Sequence, residues 1–294
     1  MATTYAALVA SIRRLLQDRP IRAQLGAAIS DTTTAASTVT SATQHLFQVG
    51  QLWEHDDNNG ATSSTSAEQR EITAVSGTTV TGSRGANGST AATHLNSTYL
   101  LLEPRFSYDR ICQAIDAVLD GDMMSNDVYD VTEHQVTISD TTDAYNAPAT
   151  TCDHILDIYQ RIGATETPSY LSDWQGYRNA DTTLFANGMY YVVPSYRGVA
   201  GTDLLYINCA HPLAVTSVNG KQQDIVEYMA AFYLLSWQEL PRSAGPTNQG
   251  DRTVKVGDQA RLAGFFRDHA LRLMREESAR LRRLAQPRRQ FVRL

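Results

Sequence analysis

Between residues 29 and 103 the chain abandons helical periodicity, and that change of period constrains the fold more than any other feature. Thr and Ser are dense there, and apolar residues come in short runs. Turn signals recur at Asp56-Asp57-Asn58-Asn59-Gly60, Ser76-Gly77 and Ala86-Asn87-Gly88. Short strands broken by frequent turns predict a small β-barrel or sandwich. A second strand-like stretch covers residues 126–220. Its best segments, around His154–Arg161, Met189 to Val193 and Asp203 to Asn208, are rich in aromatic and β-branched residues.

Helical period returns around and between these stretches. Leu8, Ile12, Leu15 and Leu16 form one stripe, ended by Pro20. Ser107 is placed to cap a helix with Tyr108, Ile111, Ile115, Val118 and Leu119 on one face, and Gly121 is placed to stop it. Residues 222–240 read as a third helix. Residues 258–285 read as a fourth, roughly 40 Å long at 1.5 Å per residue, broken by Pro287. The predicted architecture is α+β, with a helical core from residues 1–28, 104–125 and 221–286. Two β modules are inserted into it: a small β-barrel at 29–103 and a β-sandwich-like domain at 126–220. Residues 287–294 form a C-terminal arm. Each helix must bury its stripe against another element, which is why the helices are expected to pack together.

Charge is distributed unevenly. The net charge is −6, which implies no general affinity for nucleic acid. Residues 261–294 carry ten Arg against Asp268, Glu276 and Glu277, so the rest of the chain is acidic by about thirteen charges. A basic, partly apolar tail after a helix break is expected to order only against a partner. Cys112, Cys152 and Cys209 are far apart and odd in number. They suggest neither a disulfide framework nor a zinc site, and read as buried thiols in a reducing cytosol. There is no apolar run of membrane-spanning length and no leader-like segment, so the expectation is a protein made in the cytoplasm without a membrane partner.

Motifs for catalysis are missing. There is no GxSxG elbow, P-loop or HExxH, and no two of the seven His stand four residues apart. The 56–60 turn fails as a calcium loop in both registers, since the required Gly and Glu positions are not met together. Asp140, Asp143, Asp153 and Asp157 are candidate paired carboxylates for a glycosidase, but solvated loop acids account for them more simply. The expectation is a protein that is not an enzyme and has no cofactor or metal.

One segment has a specific pattern. Glu71 precedes a hairpin from Val75 to Thr81, and Arg84-Gly85-Ala86-Asn87-Gly88-Ser89-Thr90-Ala91-Ala92-Thr93-His94 comes after it. Ser76-Gly77 supplies the hairpin turn, Gly88 permits another, and Arg84 can reach backbone carbonyls or a carboxylate across the module. Gly82-Ser83 stands where an apolar residue is usual, which suggests a bulge. The segment resembles a barrel motif of tailed-phage virion proteins, carried here by Glu71, Arg84, Gly85, Gly88 and His94. With the order of elements around it, the chain resembles the head-to-tail adaptor (connector, or head completion) proteins of tailed bacteriophages.

The resemblance implies a ring at the virion neck, a dodecamer of this chain, that binds the portal on one side and a tail, stopper or terminator protein on the other. DNA would pass through the channel without specific binding during genome packaging and ejection. It implies a C-terminal arm that grips the portal, for which the candidates are Arg282, Arg283, Arg288, Arg289, Phe291 and Arg293. The alternatives are a carbohydrate- or receptor-binding tail protein using aromatic residues of the second β module, and an envelope hydrolase.

Overall fold

The structure is a computed structural model that describes residues 3–56, 67–137, 144–146, 152, 154–161, 169–171, 174–178, 181–184, 189–193, 204–239, 247–249, 252–254 and 258–285. The chain divides into two compact units. One comprises Met1–Gly121 with Val215–Met274, the other Asp122–Ala214 with Arg275–Leu294.

The first unit is built on six antiparallel strands: β1 (Ile21–Gln24), β2 (Ala36–Thr38), β3 (Leu52–Asp56), β4 (Gln69–Ser76), β5 (Thr79–Ser83) and β6 (Tyr99–Leu102). Their order across the sheet is β1-β6-β3-β4-β5-β2. The sheet curls into a half-barrel until its two edges approach. Leu25, just after β1, bridges Val39, just after β2, and Gly26 N–H donates to Thr38 O at 2.8 Å. Inward alternation places Trp53, Ile72, Val80, Leu100 and Leu102 in one core with Phe47, whose ring meets Trp53 edge-on at 5.4 Å. The β4–β5 turn is made by Gly77 at φ +58°. The ladder register shifts between Ile72 and Ala74, so the extra residue of the bulge is Thr73 on β4, while Gly82 and Ser83, where a bulge was expected, both stay paired.

Four α-helices lie among the described residues. α1 (Tyr5–Leu15) is capped by Thr4 and buries Leu8, Val9 and Ile12. α2 (Tyr108–Ala117) is capped by Ser107, whose Oγ accepts from Arg110 N–H at 3.3 Å. Gly121 does not stop this helix: it continues through a π-helical turn at Val118–Met123, and the chain turns out at Asp127 with φ +58°. α3 (Gly220–Glu239) contacts both α1 and α2. It also meets α4 (Asp258–Ala285), through Tyr228 against Phe266 and through Arg267 over the Phe232 ring. Ile225, Val226, Met229, Ala230, Ala231, Leu234 and Leu235 are all buried, as expected of a helix with neighbours on more than one side. Glu54 on β3 is buried and joins three elements, accepting from Arg13 Nη2 at 2.6 Å and from Tyr108 N–H at 2.7 Å.

In the second unit β7 (Asp130–Thr137), β9 (His154–Arg161), β10 (Ser169–Tyr170) and β13 (Leu204–His211) form a sheet in the order β10-β9-β13-β7. β8 (Ala144–Asn146), β11 (Gln175–Arg178) and β12 (Met189–Val192) form a three-stranded sheet in the order β11-β12-β8. Tyr145 and Tyr191 from the smaller sheet share a core with Ile158, Leu205, Ile207 and Cys209 from the larger. Cys152 and Cys209 are joined by a disulfide, with Cα atoms 4.9 Å apart. This corrects the expectation of three separate thiols: strand pairing brings together residues 57 positions apart, which spacing in the sequence does not display. Cys112 alone remains a buried thiol. The hairpin of β14 (Thr247–Gln249) and β15 (Arg252–Val254) is a further small sheet.

The expected fold class, a helical core with two inserted β modules, is overturned. The chain is β-rich and mixed, with a curled antiparallel half-barrel and smaller sheets besides its four helices. The physical reason is that α1 and α2 are only 11 and 10 residues long, too short to enclose a core of their own. The half-barrel has its own apolar interior, formed wholly from residues 23–102. No helix among the described residues is long and apolar enough to cross a membrane.

Candidate functional site: a buried carboxylate hub

β4 enters the half-barrel with a charged residue facing inward. Glu68, just before the strand, shares a face with Arg70 and Ile72, because strand side chains alternate. All three are buried, whereas Glu71 points to solvent. Glu71, named as the motif glutamate, is exposed, and the inward-facing glutamate is Glu68. A signal for it exists in the sequence: Glu68, Arg70 and Ile72 form one alternating face, and Ile72 marks it as the inner one.

Five donors converge on the Glu68 carboxylate. Oε1 accepts from Arg70 Nε at 3.0 Å and from Arg84 Nε at 2.5 Å. Oε2 accepts from Arg84 Nη2 at 2.9 Å, Ala92 N–H at 2.9 Å and His94 Nε2 at 2.7 Å. An ionised carboxylate only accepts, so His94 carries a proton on Nε2. Burial pushes the Glu68 carboxyl upward, but the bonds from His94, Arg84, Ala92 and Arg70 outweigh it and hold the group well below its usual range.

The two arginines extend the hub to the chain on the far side. Arg84 Nη1 donates to the carbonyls of Asp31 at 3.0 Å and Thr34 at 3.2 Å, and Nη2 also donates to Ala92 O. Arg70 donates to Ser37 Oγ at 2.5 Å and Thr34 O at 3.1 Å, and lies over the Trp53 ring at 5.7 Å. Burial lowers the Arg70 pKa, and Glu68 opposes that shift. Arg84 thus reaches both backbone carbonyls and a carboxylate. One carboxylate ties together the segments 31–37, 68–70, 84–85 and 92–94.

Glycine is required where the loop leaves Arg84. Gly85 has φ +63°, and a Cβ there would lie 2.7 Å from Ser89 O. Gly88 has φ +80° with open space around it. Asn87 Nδ2 donates to Gln69 Oε1 at 2.9 Å, and Gln69 N–H donates to Ser89 Oγ at 2.8 Å, so the turn is fixed to β4. Asn87 and Gly88 then form part of the wall of a cleft of about 940 Å³, lined also by Glu103, Arg110 and Trp237.

His55 lies behind the hub. Its ring stacks on His94 with centroids 3.6 Å apart and planes 5° from parallel, and Trp53 meets it edge-on. It is buried, and neither ring nitrogen has a hydrogen-bond partner among the described residues. Burial first, then the nearby His94, keeps its pKa well below 6.5, so the ring is neutral at neutral pH.

His55, Glu68 and His94 offer ligand atoms within 4.8 Å of one another. The arrangement nevertheless does not fit a metal ion. A metal bound to imidazole lies in the ring plane, and two parallel rings stacked 3.6 Å apart share no such point. The carboxylate is already filled by five donors, and two guanidiniums beside it would repel a cation. The hub is therefore a polar clamp that holds loops.

The other expected site residues are dispersed. Arg282 sits on α4 and donates to Asp127. Arg283 falls in the last turn of α4, and Arg288, Arg289, Phe291 and Arg293 lie outside the described residues. Asp140, Asp143 and Asp153 lie outside them too, as does the 57–60 part of the turn weighed as a calcium loop. Asp157 is engaged by Asn208 Nδ2 at 2.6 Å. The sequence matches no protein-family model and no curated protein.

Proposed function

We propose that this chain is a structural protein of a tailed-phage particle, a ring-forming neck component that joins the portal to the tail and lets DNA pass. The observation that carries the reading is the Arg84–His94 segment. Its Arg84, Gly85 and His94 each serve to lock a loop onto the half-barrel, which suits a part that must keep its shape under load. The resemblance to phage virion proteins supplies the particle and the neck position. The roles assigned to portal, tail or stopper protein, ring self-association and virion location all belong to this proposal, as does the absence of catalysis.

The test is the mass of the purified chain, alone and mixed with purified portal rings. A ring formed on the portal, lost when residues 282–294 are removed, supports the reading and the role of the arm. A stable trimer that ignores the portal overturns it and favours a receptor-binding tail protein. That second reading has one observation of its own: Tyr177, exposed on β11, stacks on its cross-strand neighbour Tyr190 at 4.9 Å, a flat face suited to a sugar ring.

A further inference from the structure

The last turn of α1 carries Arg13 and Arg14, and the chain then turns back. Gln17 takes φ +54°, Asp18 N–H returns to Arg13 O at 2.8 Å, and β1 begins at Ile21 after Pro20. Arg14 lies on the helix, and Arg19 and Arg22 lie on the returning chain. All three are exposed and line one hollow of about 320 Å³, together with the buried Val9 and Leu101.

Among the described residues these guanidiniums have no acid in contact. Among the described residues none of the three forms an ion pair, although Arg22 lies over the Tyr99 ring at 5.7 Å. The fourth arginine in the lining, Arg13, is different: it is bound to Glu54 and to Phe106 O. Of the acids in the lining, Asp18 lies 4.0 Å from Arg13 Nε. Asp18 accepts from the N–H groups of Arg105 and Phe106, and Asp56 has an interaction of its own. Three like charges facing one hollow, in a chain of net charge −6, repel each other unless an anion joins them.

We infer that this hollow binds phosphate groups. Three guanidiniums around one hollow supply more donors than the two oxygens of a carboxylate can accept, whereas a tetrahedral phosphate offers oxygens in several directions. The hollow of about 320 Å³ admits a phosphoryl or phosphodiester group with room for the moiety that carries it. The same chemistry comes from a free phosphate ester or from a nucleic-acid backbone. With three contacts, affinity for duplex DNA falls about 40-fold between 50 and 200 mM salt.

The experiment uses the isolated full chain, with no portal present, so its result is independent of the ring reading. Binding of a labelled random-sequence duplex is followed by fluorescence anisotropy at 50 and 200 mM salt, and binding of pyrophosphate by calorimetry. The variant is Arg14→Gln/Arg19→Gln/Arg22→Gln, with Arg261→Gln/Arg275→Gln on α4 as the control. Both sets are exposed, and equal melting temperatures verify folding. Saturable binding by the chain and the control, reduced at least tenfold in the triple variant, supports the site. Duplex binding with the stated salt loss assigns the ligand to a nucleic-acid backbone, and tight pyrophosphate binding alone assigns it to a free phosphate ester. Absence of both at 50 mM salt, or equal loss in the control, overturns the proposal.

Discussion

Replacing Glu68 by Gln keeps the size of the side chain and removes its charge, which isolates what the hub contributes. The amide oxygen can accept about two of the five donors that now converge on the carboxylate, and the amide nitrogen adds two more donors. Arg70, fully buried, and Arg84, nearly so, would keep their charges with no counterion in contact. Breaking a buried pair by removing one partner destabilises by about 3–5 kcal/mol. At 2–4 °C per kcal/mol for a unit of this size, the melting temperature should fall by roughly 6–20 °C. Urea unfolding followed by tryptophan fluorescence, with Trp53 in the affected core, gives the free energy directly. Glu71→Gln is the companion variant: it is exposed on the neighbouring position and should change stability by less than about 0.5 kcal/mol. If the two variants unfold at the same urea concentration, the hub contributes nothing and the argument fails.

Three other outcomes are expected. The folded state resists protonation of His55 while the unfolded chain takes a proton near pH 6.5, so stability is complete above that pH and falls below it, by up to about 1.4 kcal/mol per pH unit. Glu68, lowered from 4.5, adds to the loss below pH 4.5; His55→Phe should flatten the upper limb alone, seen as urea midpoints between pH 5 and 8. Gly85→Ala should destabilise by more than Gly88→Ala, because both positions have positive φ but only the first meets a backbone oxygen; calorimetric melting of the two proteins ranks them. Reducing the Cys152–Cys209 bond should destabilise the second unit by about 4 kcal/mol on the loop-closure estimate, and alkylation of the unreduced, denatured chain should label one thiol, not three.

Helices are legible in the sequence because their signals are local. The Ser107 cap, the Pro20 stop and the stripe of 258–285 each sit within a few residues of what they specify, and α4 has the predicted limits. The Ser76-Gly77 hairpin is legible for the same reason. What the sequence hides is long-range. Strand order, the Leu25–Val39 closure and the Cys152–Cys209 bond depend on pairings that no short window contains. Glu68 escapes a pattern-based reading because a charged residue facing inward contradicts the usual alternation of apolar and polar positions. It is tolerated only through Arg84 and His94, which arrive from later in the chain. Helical stripes are conspicuous and so attract the core to themselves in such a reading, although the Thr-rich strands enclose a core of their own.

The position of α3 has a consequence for how the chain is made. The stripes of α1 and α2, near residues 5–15 and 108–117, are covered by a helix that begins at residue 220. During synthesis the ribosome must deliver the intervening strands before that cover emerges. The first half of the protein therefore waits with apolar surface open to solvent, in a stage where association with other chains competes with folding. High sequence separation between contacting helices also slows the search for the native state. A nascent chain stalled after residue 121 should be held by chaperones, and one released after residue 240 should not.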